Sequence, residues 1–209
     1  MKNELTENDL IQLAKQLSCP EGQNGIKTAD MMNEGNIEMT LSSIKALNIK
    51  DGDTVLELGH GNCGHLSKIL NEANHIQYTG LEISETMKQQ ALLKNSEFIS
   101  DSSTVRFNIY NGEDIPYESN AFNKIMTVNT IYFWTNPLHL FNEIYRVLKP
   151  DGLLVLSFAQ KDLWKSCLLP SMALIYSTIK NYQNLYSKPN SKKSNSLKRP
   201  MWSKAKPGK

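Results

Sequence analysis

Between residues 53 and 158, short apolar runs alternate with segments of helical spacing, and this alternation constrains the fold more than any other feature of the chain. Asp53-Thr-Val-Leu-Glu-Leu58 is an apolar run that ends at a glycine, which predicts a buried strand. Cys63 to Ala73 carries Leu66, Ile69 and Leu70 at helical spacing. Ile76 to Leu81 predicts a second strand, and Ser84 an N-cap for a helix running through Lys94. Val105 to Tyr110 alternates as a third strand. Phe122 to Val128 is a fourth, after the turn at Glu118-Ser-Asn120. Asn136-Pro137 starts a helix with Leu140, Ile144, Val147 and Leu148 on one face, Lys149-Pro-Asp-Gly152 makes a turn, and Leu153 to Phe158 is a fifth strand. Strands that alternate with helices give an α/β fold with a mainly parallel sheet covered on both faces. Right-handed crossovers wind such a sheet doubly, and its ligand lies beyond the C-terminal strand ends at the topological switch point.

Those strand ends carry polar groups and glycines. The first ends in Glu57-Leu-Gly59-His60-Gly61-Asn-Cys63-Gly64. Glycines permit a tight turn and close approach of backbone to a ligand, and the following helix start offers free N–H groups. Alone, Gly59-x-Gly61-x-x-Gly64 fits a dinucleotide fingerprint as well as any other. Glu57 lies two residues before the first glycine. Glu82 and Ile83 lie at the second strand tip, where a carboxylate can accept the hydroxyls of a ribose. The third strand leads into Asn111-Gly112-Glu113-Asp-Ile-Pro-Tyr117, and the fourth ends at Asn129-Thr130, followed by Tyr132, Phe133 and Trp134. Four consecutive polar strand tips on one edge are poorly explained by packing.

With these residues in order, the chain resembles the class I S-adenosylmethionine-dependent methyltransferases of the small-molecule group. The resemblance rests on VLELGHGNCGHL (55–66), YTGLEIS (78–84), NGEDIPY (111–117) and RVLKPDGLLVLSF (146–158), and spans about residues 50–160. It implies a Rossmann-like sheet, S-adenosyl-L-methionine as cofactor and a small-molecule methyl acceptor. It maps the cofactor's amino-acid and ribose portion onto Glu57, Gly59, His60 and Gly61, the ribose hydroxyls onto Glu82 beside Ile83, adenine onto the Asn111-Gly112-Glu113 turn, and the methionine end onto Asn129. Two positions depart from the family. Asn111 stands where an aspartate is common, so its amide oxygen is the expected acceptor for adenine. Cys63 stands at the third glycine, which reshapes the turn. The resemblance names no general base. In-line transfer from a sulfonium needs chiefly alignment, and a base only where the acceptor must first lose a proton.

Charge divides the chain. Residues 1–160 carry 12 Lys and Arg against 20 Asp and Glu, a net −8; residues 161–209 carry 11 Lys and Arg and one acid, a net +10. The negative core disfavours a nucleic-acid substrate. No run of about 18 apolar residues is present, the N-terminal MKNELTENDL is polar and acidic rather than a secretory signal, and Cys19, Cys63 and Cys167 form no CxxC pair. These features predict a reduced, cytoplasmic protein with neither a membrane span nor a metal site. His60, His65, His75 and His139 lack metal-ligand spacing as a set, and Met31 and Met32 read as packing.

At roughly 150 residues per domain the chain is one domain with appendages: a helical lid segment over 1–50, with an amphipathic helix from Glu7 to Leu17, a cofactor-binding core over 51–160, and a basic tail over 161–209. Lys188 to Lys209 is Ser/Lys/Pro-rich, a disorder signature. The family closes its sheet with a helix and two further strands, the last antiparallel, and the tail does not supply them, so the sheet is expected to end at Leu153–Phe158. Back-translated and read one base earlier, with degenerate bases chosen, the tail yields an amphipathic NDKKLSKFIQQTEF and a strand-like KKVKFIETTDVV. This predicts a one-base frameshift near Lys161–Leu163. The alternatives to an active methyltransferase are therefore an impaired cofactor-binding product of that shift and, more distantly, a nicotinamide-dependent oxidoreductase, for which the NGEDIPY and LKPDG turns have no role.

Overall fold

The computed structural model describes residues 6–99 and 104–159, apart from the Leu10 side chain, and the backbone of Met172–Thr178. Five strands, β1 (Thr54–Leu58), β2 (Gln77–Glu82), β3 (Val105–Ile109), β4 (Phe122–Val128) and β5 (Leu148–Ala159), pair in parallel in the order β3-β2-β1-β4-β5. Five helices accompany them: α1 (Glu7–Ser18), α2 (Gly22–Leu47), α3 (Leu66–Leu70), α4 (Glu85–Lys94) and α5 (Pro137–Val147). The order reverses between β1 and β4, so the switch point falls beside the glycines after β1. This is the doubly wound, Rossmann-like α/β sheet that the alternating pattern implies.

Side chains alternate across the sheet. Val55 joins Ile44 and Leu47 of α2, Leu66 and Ile69 of α3, Tyr78, Phe107 and Met126 on one face. Leu56 and Leu58 join Leu81, Ile125 and the α5 residues Leu140, Ile144 and Val147 on the other. Glu57 shares the face of Val55, which places a carboxylate at the top of the α2–α3 layer. The caps are local: the Ser84 hydroxyl accepts from the Met87 N–H, the Asn136 side chain from the His139 N–H, and Thr6 and Asp9 form a reciprocal capping box.

Three elements differ from their sequence expectation. Helix α3 has only five residues rather than spanning Cys63 to Ala73. Cys63 takes φ 48°, a left-handed conformation that cannot begin a right-handed helix. Residues 149–152 run within the β5 strand, with a register shift opposite Phe122 and Lys124 and a left-handed Asp151 (φ 67°). The third difference is β6 (Met172–Thr178), whose backbone lies antiparallel beside β5, from Leu153 opposite Thr178 to Ala159 opposite Met172. The five-stranded parallel core is therefore extended by one antiparallel strand, where the sequence ended the sheet at Leu153–Phe158. The frameshift and the disorder read from the rest of 161–209 lie outside the described residues.

Helix α2 is the element that sequence periodicity did not isolate. It lies against the β4–β5 side of the sheet, and its Ser43 hydroxyl meets that of Ser157 at 2.6 Å. Ile125 of β4 is wholly buried. Ile125→Ala should cost about 2–5 kcal/mol through lost transfer and the cavity left behind, measured by urea unfolding. A loss below about 1 kcal/mol would mean that the α5 face is less tightly packed than described.

Candidate functional site

The chain leaves β1 through a left-handed turn. Gly59 has φ 69° and Gly61 φ 57°, conformations that cost other residues strain. A Cβ on Gly59 would lie 2.5 Å from the Thr130 methyl, so the turn and the β4 tip pack backbone to side chain. A Cβ on Gly61 would meet nothing within 4 Å, so the turn borders open space. That space is a cleft of about 990 Å³, mouth included, over the C-terminal ends of β1, β2 and β4.

Of the residues expected from sequence, Glu57, Gly59, His60, Gly61, Glu82, Ile83, Gly112 and Asn129 line this cleft, and Asn111 and Glu113 do not. The buried Glu82 carboxylate accepts from the N–H groups of Gly61 (2.9 Å), Ile83 (2.8 Å) and Ser84 (3.1 Å). These bonds orient it at the cleft floor and take three of its roughly four acceptor positions. Two ribose hydroxyls can therefore be accepted together only if one backbone bond is released. Gly61 also spends its N–H on Glu82, which, with the short α3, leaves less of a helix-start anion site than the glycine motif implied. Gly112 (φ 84°) packs its α-carbon near the Ile83 side chain, so Ile83 walls one side.

Asn111 turns the other way. Its Oδ1 accepts from the N–H groups of Glu113 (2.9 Å) and Asp114 (2.7 Å), and its Nδ2 donates to Asp114 (2.8 Å). The amide oxygen expected to receive adenine is thus committed to its own loop, a competition usual for Asn in turns. Asn129, left-handed at φ 56°, accepts from the Ala159 N–H and donates to Asn36 Oδ1 at 2.9 Å. It joins α2, β4 and β5 at one point.

Beneath the turn lies a buried polar network. Glu57 accepts from Tyr78 Oη at 2.7 Å and from His65 Nε2 at 3.0 and 3.1 Å, and Tyr78 Oη lies 3.2 Å from Cys63 Sγ. Burial pushes the Glu57 carboxyl up, but the His65 charge and the two donors outweigh it and hold it below the usual range. Burial pushes His65 down, and the Glu57 carboxylate outweighs that and holds it above the usual range. Burial drives His60 below its usual value, so it is neutral. Its Nδ1 donates to the Gly61 carbonyl at 2.8 Å and its Nε2 is buried without a partner. A Cβ on Gly80 would lie 2.5 Å from the His60 ring, so the β2 glycine exists to admit that imidazole. Glu57, Cys63 and His65 place one potential ligand atom each within 4.8 Å, although the histidines as a set showed no metal spacing; here those atoms are taken by one another and by Tyr78.

The sequence placed a helical lid segment over 1–50 but named none of the residues that wall the cleft opposite the glycines. Ala29, Met32, Asn33, Asn36 and Thr40 of α2 line it, with Leu17 and Ser18 of α1 at the rim. Their spacing of three, four and seven residues marks one helix face, but its polar composition hides it from a search for apolar stripes. Met31, expected as packing, is 63% exposed. Phe133 and Trp134 line the cleft, while Tyr132 packs against Phe158.

A parallel sheet with a glycine turn at its switch point, an acid at the next strand tip and an LKPDG segment opening β5 is the arrangement of the class I S-adenosylmethionine-dependent methyltransferases. Residues 56–156 match the methyltransferase domain family. The chain is 26% identical over 120 residues to the uncharacterized methyltransferase YdaC of Bacillus subtilis, covering 57% of this chain and 64% of that one. A chain of the complex of the Haloferax volcanii methyltransferase activator Trm112 superposes with TM-score 0.58 at 19% identity, over 76% of this chain and 69% of that one. The Haemonchus contortus phosphoethanolamine N-methyltransferase 2, solved with S-adenosylhomocysteine, superposes with TM-score 0.52 at 21% identity, over 61% of this chain and 31% of that one. The chain spans 19% to 64% of the length of the first curated relatives it matches. No described helix is long and apolar enough to cross a membrane.

The Glu57–His65 pair makes stability depend on pH. His65, raised when folded, stabilises fully below its unfolded value of about 6.5 and loses the contribution as pH rises through its folded value. Glu57, lowered when folded, stabilises above about 4.3 and loses the contribution as pH falls through its folded value. The difference in urea stability between the protein and His65→Gln should therefore be greatest near pH 4.5–6.5 and shrink on both sides. A difference that stays flat with pH would show that the pair is not ionised.

Proposed function

We propose that this chain binds S-adenosyl-L-methionine in the cleft and transfers its methyl group to a small-molecule acceptor. The observation that carries the reading is the Glu82 carboxylate, held by three backbone N–H groups at the tip of β2, beside open space over Gly61. That cradle fits an adenosyl group: an acid for a ribose hydroxyl, an apolar wall at Ile83 and Gly112, and a carboxylate, Glu57, for an ammonium at the opposite end.

Bound S-adenosylmethionine supplies an electrophilic methyl group on a positively charged sulfur. The chain's own residues then bind, orient and exclude water. Glu82 holds the ribose side, the Gly59–Gly61 backbone the middle and Glu57 the amino-acid end. Helix α2, Phe133 and Trp134 wall the acceptor side and keep bulk water from it. Glu57, Glu82 and His65 are all engaged in internal hydrogen bonds, and the reading assigns no general base, so it takes an acceptor nucleophile whose lone pair is already available. Alignment of such a nucleophile supplies most of the acceleration. The net −8 of residues 1–160 favours a small molecule over nucleic acid.

The abrupt change of charge after residue 160 favours a second reading, an impaired product of a frameshifted gene that keeps the cofactor cleft. Nucleotide sequence across codons 158–166 from independent isolates tests it; the same frame in all of them removes it.

Glu82→Ala should weaken S-adenosylmethionine binding by about 1–3 kcal/mol in calorimetry, the loss of charge-assisted hydrogen bonds. Unchanged affinity would take Glu82 out of the site. Gly59→Val should leave the far-UV spectrum unchanged and abolish binding, because its side chain would be strained at φ 69° and overlap Thr130. A Gly59→Val protein that binds normally would show that the turn is not the binding loop.

A further inference from the structure

The cleft floor holds a pair that cofactor binding alone does not require. Glu57 is 2% exposed and His65 6% exposed, yet both border the cleft. Glu57 Oε2 receives Tyr78 Oη and His65 Nε2, while Oε1 receives only His65. The carboxylate therefore already has a cation, contributed by a histidine one position before α3, and one oxygen with capacity left over.

We infer that His65 is a positioning residue that serves as Glu57's internal counter-ion and gives up its proton when a cationic ligand reaches that carboxylate. The inference rests on the proposed S-adenosylmethionine site. The cofactor and its demethylated product both carry the ammonium that would meet Glu57. Two cations on one buried carboxylate repel each other at low effective dielectric. His65 is the group in contact with the carboxylate whose proton can leave. From β2, Tyr78 has its hydroxyl pushed far up by burial. From the turn, the Cys63 thiol is likewise pushed up by burial, and His60 is neutral. Glu82 is bonded to backbone N–H groups, and the α2 residues lining the cleft, Ala29, Met32, Asn33, Asn36 and Thr40, carry no titratable group. Neutral His65 still donates from Nε2, so Glu57 stays aimed while its charge is freed for the ligand. The device lets Glu57 remain ionised in a buried position without a ligand, where a lone carboxylate would take up a proton instead.

Titration calorimetry on the full chain tests this. S-adenosylmethionine and S-adenosylhomocysteine are each titrated at about pH 6.5 in phosphate and in imidazole, whose ionisation heats differ, near the ordinary histidine value. The slope of the binding heat against buffer ionisation heat should show release approaching one proton for each of the two ligands, since both present the same ammonium. His65→Gln, which keeps a donor but cannot titrate, should bring the slope to zero while binding heat is still measured. Measurable binding with no buffer dependence in the unaltered protein overturns the inference. A slope that survives His65→Gln also overturns it, by placing the proton on another group. Absence of any binding heat in either buffer overturns instead the cofactor reading on which the inference stands.

Discussion

The left-handed turn at Gly59 and Gly61 is the constraint on which the upper half of the molecule depends. It lets the chain leave β1 without a side chain between the strand tip and the cleft, and delivers the Gly61 N–H to Glu82 on the neighbouring strand. The same turn sets the Thr130 methyl against the Gly59 α-carbon, which fixes the β4 tip and, through Trp134 Nε1 on Thr130 Oγ1, the aromatic wall. Strand tips and wall are thus registered to each other by a backbone conformation, which presents an N–H to the Glu82 carboxylate and an α-carbon to Thr130.

Below the turn the structure keeps charge in an apolar layer. Glu57, Tyr78, His65 and Cys63 sit within the face that also holds Leu66, Ile69 and Phe107. An ionised carboxylate survives there only because a cation and a hydroxyl are in contact with it. Such a network rigidifies the floor when every member is satisfied. His60, one turn position away, is its neutral complement, seated over Gly80 and against Phe107 at a centroid separation of 4.9 Å.

The amino-terminal helices complete what the sheet leaves open. Among the described residues lining the cleft there is no Lys or Arg, and the α2 side offers amides and a hydroxyl. This composition, more than the sheet, separates the cleft from one built to hold a phosphate. The Asn36–Asn129 bond ties that wall to the β4 tip, so the acceptor side is fixed by long-range contact between residues 93 positions apart.

Sequence by itself determined the five parallel strands, their caps and the strand tips that meet at the cleft, because strand burial, N-cap chemistry and glycine turns are local and leave local signatures. Ser84, Asn136 and the alternation in β1 are of this kind. Tertiary structure alone decided what those tips do with their polar groups. Asn111 carried the right donor and acceptor types, yet its amide oxygen is taken by the N–H groups of its own loop. Glu57 was legible as an acid at a strand end, but His65 and Tyr78 became its partners only when β2 and the α3 entry were folded beside it. The α2 wall escaped notice because its face toward the cleft is polar, and a polar helix face has no hydrophobic period to betray it. It became a wall only because Ile44 and Leu47, farther along the same helix, pack it onto the sheet.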